Sequence, residues 1–493
     1  MRVLFIYSNH VRDLLPAPPV GLSYVASATQ DAGHDVEFVD MLVNERGLQQ
    51  LRATLEHFQP QVVAISVRNI DNVVHQRLLT HLEVLAQQIS LVREVSDAKI
   101  VLGGPAISIL GCNALSHIDA DFAVLGEGES VFPQLLEEME GEGGYREIPG
   151  VCFRESTRII PAQAQRLPAF GASGMERWIS WKRYERLGAT WPIQTKRGCP
   201  LHCTYCTYPT IEGRRFRKRS PQDVVAEMRE VKRVKNPRCF EFIDSVFNSP
   251  ESYAIELCEE IIRSGLKVNL TTMGVNPRHL SDELLTLMKR AGFNSMMVTP
   301  ESASDRILDS MRKGFDVEAV RQCAGRVRRS GIPSMWFFML GAPGETKETA
   351  EETVSFVESH LNWKSCLPMF TTGIRILPGT ELAEQSFQTG YLPKNMDLAQ
   401  SVFYFSPAVS EEWLLRRVNQ AVSVCPNVVH AAEDPSSSPM TVRAFRLLHM
   451  MGVAPPYWRF FSRFLSLSPV HRGRVRQIAS GKLQFQLSEA GDS

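Results

Sequence analysis

Two runs of alternating strand-like and helical segments, separated by a glycine- and proline-rich stretch, constrain this chain more than any other feature. In residues 1–140, strand patterns at Arg2–Tyr7, Asp35–Val39, Gln61–Val67, Lys99–Gly103 and Asp121–Leu125 alternate with helical apolar spacing in segments such as Val20–Ala32 and Val74–Val92. This pattern predicts an α/β fold, a doubly wound parallel sheet with helices on both faces. Ligands of such sheets sit outside the carboxyl ends of the strands. The loops beginning at Ser8, Ser66, Gly103 and Gly126 are therefore expected to share one rim.

Residues 141–188 interrupt the alternation with clustered Gly and Pro and read as a linker carrying one short hairpin, Val151–Ala162. The pattern resumes over residues 189–394, with strands near Ile193–Arg197, Cys239–Asp244, Lys267–Thr272, Ser295–Thr299, Met335–Leu340 and Phe370–Leu377. Six βα units predict a partial barrel, open because two of the usual eight are missing. Residues 395–493 read as a helical carboxy-terminal region with loops, Asp434–Pro439 being one of them.

Composition narrows the partners. At 493 residues, two or three domains are expected. Lys+Arg 54 against Asp+Glu 54 leaves no net charge, which argues against a protein that grips nucleic acid or an anionic membrane. Hydrophobic content of 44% with 22% charged residues fits a folded, soluble protein. No run of about 18 apolar residues is present, so no transmembrane segment is expected, and the start Met1–Tyr7 does not read as a signal peptide. Ten cysteines, dispersed except for three, are unlike a secreted disulfide framework and imply a reducing cytoplasm.

The three exceptions carry the chemistry. Cys199, Cys203 and Cys206 form a C-x-x-x-C-x-x-C run directly after the first strand of the second series. Chance placement at these offsets is expected roughly 0.004 times per chain. Three thiolates on one loop can hold three corners of a [4Fe-4S] cube and leave the fourth iron open to a ligand. A structural zinc site is the competing reading, but it wants a fourth Cys or His.

This spacing, with aromatic Tyr205 before the last cysteine and the loop following strand one of a six-unit barrel, resembles the radical S-adenosylmethionine enzymes over about residues 190–380. The resemblance implies that the open iron is chelated by S-adenosylmethionine and that reductive cleavage yields a 5′-deoxyadenosyl radical. It implies cofactor contacts from Tyr205, from Asp244 and Ser245 after strand two, from Glu301 and Ser302 after strand four, and from Arg375 after strand six. Ser245 stands where many relatives have a second Asp, and Thr299 replaces a glycine. Gly341–Thr346 and Leu377–Thr380 match a large subgroup, though Gly, Pro and a Thr helix cap also explain them structurally.

The amino-terminal sheet resembles cobalamin-binding modules, and this domain order is that of the cobalamin-dependent radical subgroup. Ser66 and the Gly103-Gly104 pair are kept, whereas Ser8-Asn9-His10-Val11-Arg12-Asp13 stands in place of D-x-H-x-x-G. The resemblance implies cobalamin at Ser8, Ser66, Gly103, Gly104, Gly126 and Glu127, with no protein imidazole on cobalt. Leu125-Gly126-Glu127-Gly128-Glu129 either faces the corrin rim or is a tight turn whose acids favour the helix dipole. The basic run Arg214–Arg219 is either a solvated loop or a neutralising group near the cluster. The aromatic and basic tail from Pro456 either packs as a final helix or offers an interfacial surface for a lipid-like substrate. Cys239, Cys258, Cys323 and Cys366 read as inert core thiols.

By resemblance, the expected activity is methyl transfer to an unactivated carbon of a small-molecule or lipid-like substrate, with an electron donor such as flavodoxin or ferredoxin. The alternative is a cyclase or oxidase with the same cofactors. A non-catalytic cobalamin sensor leaves the cysteine loop unexplained. A methylthio transferase acting on transfer RNA lacks its second cluster domain and basic module.

Overall fold

The computed structural model describes residues 1–11, 16–44, 46–141, 143–156, 158–432 and 439–461. The first sheet comprises β1 (Arg2–Tyr7), β2 (Asp35–Asp40), β3 (Val62–Ser66), β4 (Lys99–Gly103), β5 (Phe122–Val124), β6 (Val151–Glu155) and β7 (Arg158–Ile160), in the spatial order β2-β1-β3-β4-β5-β6-β7. The first five strands are parallel. Both faces are covered: Val3, Phe5 and Tyr7 of β1 join one buried cluster, and the alternating Leu4 and Ile6 join another. A continuous apolar strand such as Val62-Val63-Ala64-Ile65 needs helices on both sides for this reason.

The hairpin expected in the linker belongs to this sheet. β6 pairs antiparallel with β5, Phe153 opposite Phe122, and β7 closes the edge. Antiparallel pairing needs only a turn, so a short return segment can extend a parallel sheet where another crossover cannot. Cys152 of β6 is disulfide-bonded to Cys112, which lies after the helix Pro105–Leu110. This corrects the expectation of a fully reduced set. Pairing across 40 positions follows from the strand order, not from sequence spacing. The other eight cysteines are free, and Cys239, Cys258, Cys323, Cys366 and Cys425 are buried.

The second unit begins with β8 (Trp191–Ile193), β9 (Lys196–Arg197) and β10 (Arg217–Lys218). The expected strand Ile193–Arg197 is thus split: β8 stays in the barrel, and β9 turns out to pair antiparallel with β10. The parallel strands continue with β11 (Phe240–Phe242), β12 (Leu270–Thr272), β13 (Met296–Glu301), β14 (Ser334–Leu340) and β15 (Cys366–Thr372). β16 (Ile374–Arg375) pairs with β17 (Phe403–Tyr404), and β18 (Val429–His430) adds in parallel to β15. The segment after 395 therefore supplies strands as well as helices.

The barrel strands sort their side chains by alternation. Met296, Val298, Trp336, Phe338 and Phe370 face the outer helices, while Met297, Met335, Leu367 and Met369 face the concave side. Trp458 and Phe461 of the carboxy-terminal segment pack into that concave cluster and stopper the barrel's base. The beginning of the aromatic tail is thus core; its basic remainder, with Arg463, Arg472, Arg474 and Arg476, lies outside the described residues, as does the expected loop from Asp434. Among the described residues, no helix is long and apolar enough to cross a membrane.

Candidate functional site

The carboxyl ends of both strand sets face one cavity of about 540 Å³. Ser66, Gly103, Gly104 and Gly126 line its amino-terminal wall; Gln194, Thr207, Tyr208, Ile243 and Met273 line the barrel wall. Strand register sets this rim, because Tyr7, Ser66 and Gly103 are neighbours at their strand ends. Ser8 joins it by donating its hydroxyl to the Ser66 carbonyl at 3.1 Å.

The two glycines at the end of β4 do different work. A Cβ on Gly103 would meet nothing within 4 Å, so its missing side chain leaves room in the cavity. Gly104 has φ +97°, and a Cβ there would stand 2.7 Å from the Val67 carbonyl oxygen. Gly104 is therefore required by its own backbone, not by approach to a ligand. Gly126, also at positive φ, packs against Gln165 and receives its position from the Ser108 hydroxyl, which accepts from its N–H. His10 is absent from the cavity wall and stacks edge-on against His81. The residues fit a flat ligand that approaches Gly103 and hydrogen-bonds Ser66, whose hydroxyl binds no described residue.

Glu127 lines the cavity and is also bound by protein groups. Its carboxylate accepts from Arg217 at 2.5 and 2.8 Å and from the Leu167 N–H at 2.8 Å. Burial works to raise its pKa, but Arg217 and Arg197 overcome this and hold it below the usual value. Arg197 also pairs with Glu129 at 2.6 Å and lies between the rings of Tyr24 and Phe170. The turn clamps the two units together while Glu127 and Glu129 remain on the cavity wall. Arg217 and Arg219, paired with Glu127 and Glu227, likewise take two of the five basic residues of the run out of solvent.

The cysteine loop is anchored on three sides. Gly198, at φ +92°, packs on the Arg215 backbone; Cys199 N–H donates to the Gly213 carbonyl and Thr204 N–H to the Met311 carbonyl. Cys206 N–H closes the turn on the Cys203 carbonyl. Burial raises the Cys206 thiol to about 12, with Cys203 and Cys199 adding to it, and burial raises Cys199 as well. The thiols thus share one neighbourhood and need a cation to ionise. Among the described residues, no three or more His, Cys, Asp or Glu side chains already stand as a closed metal-ligand set. His202 instead meets Arg214 at the surface. Three thiols without a fourth protein ligand fit a cluster with one open iron better than tetrahedral zinc.

Of the residues expected around S-adenosylmethionine, Tyr205, Glu301 and Ser245 gather at this loop. Glu301 lies at a register shift in β13 with φ +68°, an uncommon backbone state for a non-glycine residue. It bonds Tyr205 and stands 3.7 Å from Lys313 Nζ, which donates to the Tyr205 hydroxyl at 3.0 Å. Burial raises the Glu301 pKa, with Lys313 and Tyr205 offsetting part of it. Ser245 donates to the Gly198 carbonyl at 3.0 Å.

Asp244, Ser302 and Arg375 place their polar atoms on protein partners. Asp244 accepts from Thr195 N, Thr195 Oγ1, Lys196 N and Lys196 Nζ at 2.6–3.1 Å, fully buried. It holds the turn that aims the cysteine loop. Ser302 shares a buried hydrogen bond with Thr353 at 3.0 Å. Arg375 donates to Asp71 of the amino-terminal unit and to the carbonyls of Ile376, Val402 and Leu398. Thr346 and Thr380 cap the helices Lys347–His360 and Glu381–Gln388, as the structural account of those motifs expects. Lys196, Arg197, Lys313, Asp71 and Glu241 are parts of the site that carry no linear signal; each is defined by a partner far away in sequence.

Residues 14–136 match the B12 binding domain family, and residues 193–357 match the Radical SAM superfamily. A curated "uncharacterized methyltransferase" of Pyrococcus horikoshii is 25% identical over 69% of this chain and 73% of its own length. An anaerobic magnesium-protoporphyrin IX monomethyl ester cyclase of Cereibacter sphaeroides is 28% identical over 72% of this chain and 59% of its own. The solved structure of the radical S-adenosylmethionine methyltransferase TsrM from Kitasatospora setae, with cobalamin and a [4Fe-4S] cluster bound, superposes with TM-score 0.79 at 20% identity, covering 97% of this chain and 99% of that one. The chain carries a B12 binding domain followed by a Radical SAM domain, both opening on one cavity, in a fold like that of TsrM.

Proposed function

We propose that this enzyme transfers a methyl group to an unactivated carbon of a small-molecule substrate. The observation that carries this reading is the single cavity, which has Gly103 and Ser66 on one wall and the segment following Cys206 on the other. Methyl transfer to a carbon radical requires both cofactors to reach one substrate, and this arrangement provides it. The methyltransferase relatives from Pyrococcus and Kitasatospora support the same outcome.

When bound, the cluster supplies the electron that cleaves S-adenosylmethionine, and cobalamin supplies the transferable methyl group. Cys199, Cys203 and Cys206 would hold the cluster. Tyr205, Glu301 and Lys313 lock its loop, and Tyr205, Glu301 and Ser245 border the space for S-adenosylmethionine. Gly103 leaves space for the corrin, and Ser66 offers its hydroxyl. Ile243, Met273 and Pro192 line the barrel wall with apolar groups that exclude water from a reactive carbon. Flavodoxin or ferredoxin fits as the electron donor.

Methyl-labelled S-adenosylmethionine tests this. A methylating enzyme places the label in product and releases S-adenosylhomocysteine alongside 5′-deoxyadenosine. Converted product with 5′-deoxyadenosine alone favours the second reading, a cyclase or oxidase, which the Cereibacter relative supports.

A further inference from the structure

The cavity continues from the rim onto the concave face of the barrel, past Ala189, Thr190, Pro192, Ile243 and Met273 to Pro456 beside the stoppered base. One carboxyl stands in this otherwise apolar stretch. Glu241 lies at the centre of β11, and the flanking Phe240 and Phe242 point the other way, into the helix-covered core. Alternation therefore turns Glu241 inward.

Its bonding is incomplete. One oxygen accepts from the Thr190 hydroxyl, and the other has no hydrogen-bond partner among the described residues. No Lys, Arg or His among them stands within ion-pair distance of it. Of the other charged groups of the wall, Arg197 is matched by Glu127 and Glu129, and Glu212 by the Gly198 N–H and the Gln194 amide; Arg68 also lines the cavity and acts on Glu241 only through space, beyond ion-pair distance. A carboxylate among apolar groups needs a donor, preferably a charged one. Among the described residues only the neutral Thr190 hydroxyl donates to it, and none places a cation in hydrogen-bond range.

We propose that Glu241 anchors a cationic amine of the substrate, so that the enzyme acts on compact molecules joining a protonated nitrogen to an apolar body. The amine sits on the barrel face beside Thr190, the apolar body lies along Ile243 and Met273, and the far end points to the rim where the methyl group arrives. This deepens the proposed function and rests on it for the identity of the bound molecule as substrate.

The test uses the full chain reconstituted anaerobically with cluster and cobalamin. Calorimetric titration compares 2-phenylethylamine with 2-phenylethanol, and cyclohexylmethylamine with cyclohexylmethanol. The amine of each pair is expected to bind at least about tenfold more tightly, since an ion pair shielded from water adds to the shared apolar contact. Glu241→Gln and, as a second variant of similar volume, Glu241→Met are expected to bring the ratio to about one while iron and cobalamin contents stay at wild-type levels. An alcohol bound as well as its amine, or no amine bound by the wild type, overturns the proposal, as does a preference that survives either variant. Amine preference without label transfer from S-adenosylmethionine would instead reject the methyltransferase reading and leave the anchor standing.

Discussion

Arg375 Nε donates to Asp71 Oδ2 at 2.7 Å across the junction of the two units, both side chains almost wholly buried. Ser401 donates to the same oxygen at 2.7 Å. Breaking one side of such a pair leaves the other charge buried alone, which costs roughly 3–5 kcal/mol. Asp71→Ala should lower the urea midpoint accordingly. Asp71→Ala with Arg375→Met together should recover part of the loss, because no uncompensated charge remains. A double variant no better than the single one would show that the pair is not what matters.

Cys199→Ala, Cys203→Ala and Cys206→Ala should each abolish cluster assembly, since the loop provides only three thiolates. Iron and labile sulfide analysis after anaerobic reconstitution reads this directly. The described fold should persist, as Gly198, Cys199 and Thr204 are held by their backbones.

Gly103→Val and Gly104→Val should fail in different ways. The first fills open space in the cavity and should cut cobalamin content at least tenfold with little change in melting temperature. The second forces a branched side chain into φ +97° against the Val67 carbonyl and should destabilise the sheet. His10→Ala should retain cobalamin. Gel filtration with corrin absorbance, beside thermal melting, separates the three.

Glu345 is fully buried; desolvation raises its carboxyl to about 7, with the Gly341 and Ala342 N–H groups offsetting part of this. A carboxyl whose folded pKa exceeds its unfolded one binds more protons when folded between the two values. Its contribution to stability therefore falls as pH rises from about 4.5 to 7. Glu345→Gln removes that penalty. The variant should gain on the order of 1–3 kcal/mol relative to wild type between pH 5 and pH 8, measured by denaturant unfolding at both values. An equal difference at both would reject the assignment.

The sheet of residues 1–140 was legible because its apolar strands and amphipathic helices follow local periods, and the cysteine loop because its ligands are consecutive. Asp244 and Arg375 illustrate what was not. Both occupy positions where a resemblance implies cofactor contacts, yet their bonds are decided by Lys196 and Asp71, 48 and 304 positions away. Glu127 was legible as part of a turn but not as a clamp, because Arg217 reaches it from the other unit. The hairpin β6–β7 was seen as a hairpin; its place in the sheet depends on the free edge of β5, which no local pattern reports.

Trp458 and Phe461 seal the barrel at its base, so the chamber is a cul-de-sac. A molecule that reacts there cannot be pushed through by the next one; it must back out past the same mouth that admitted it. That geometry favours short guests over threaded chains. Glu127 and Asp71, which join the two units, line the same chamber, so the contacts that hold the units together also bound the space the guest must leave.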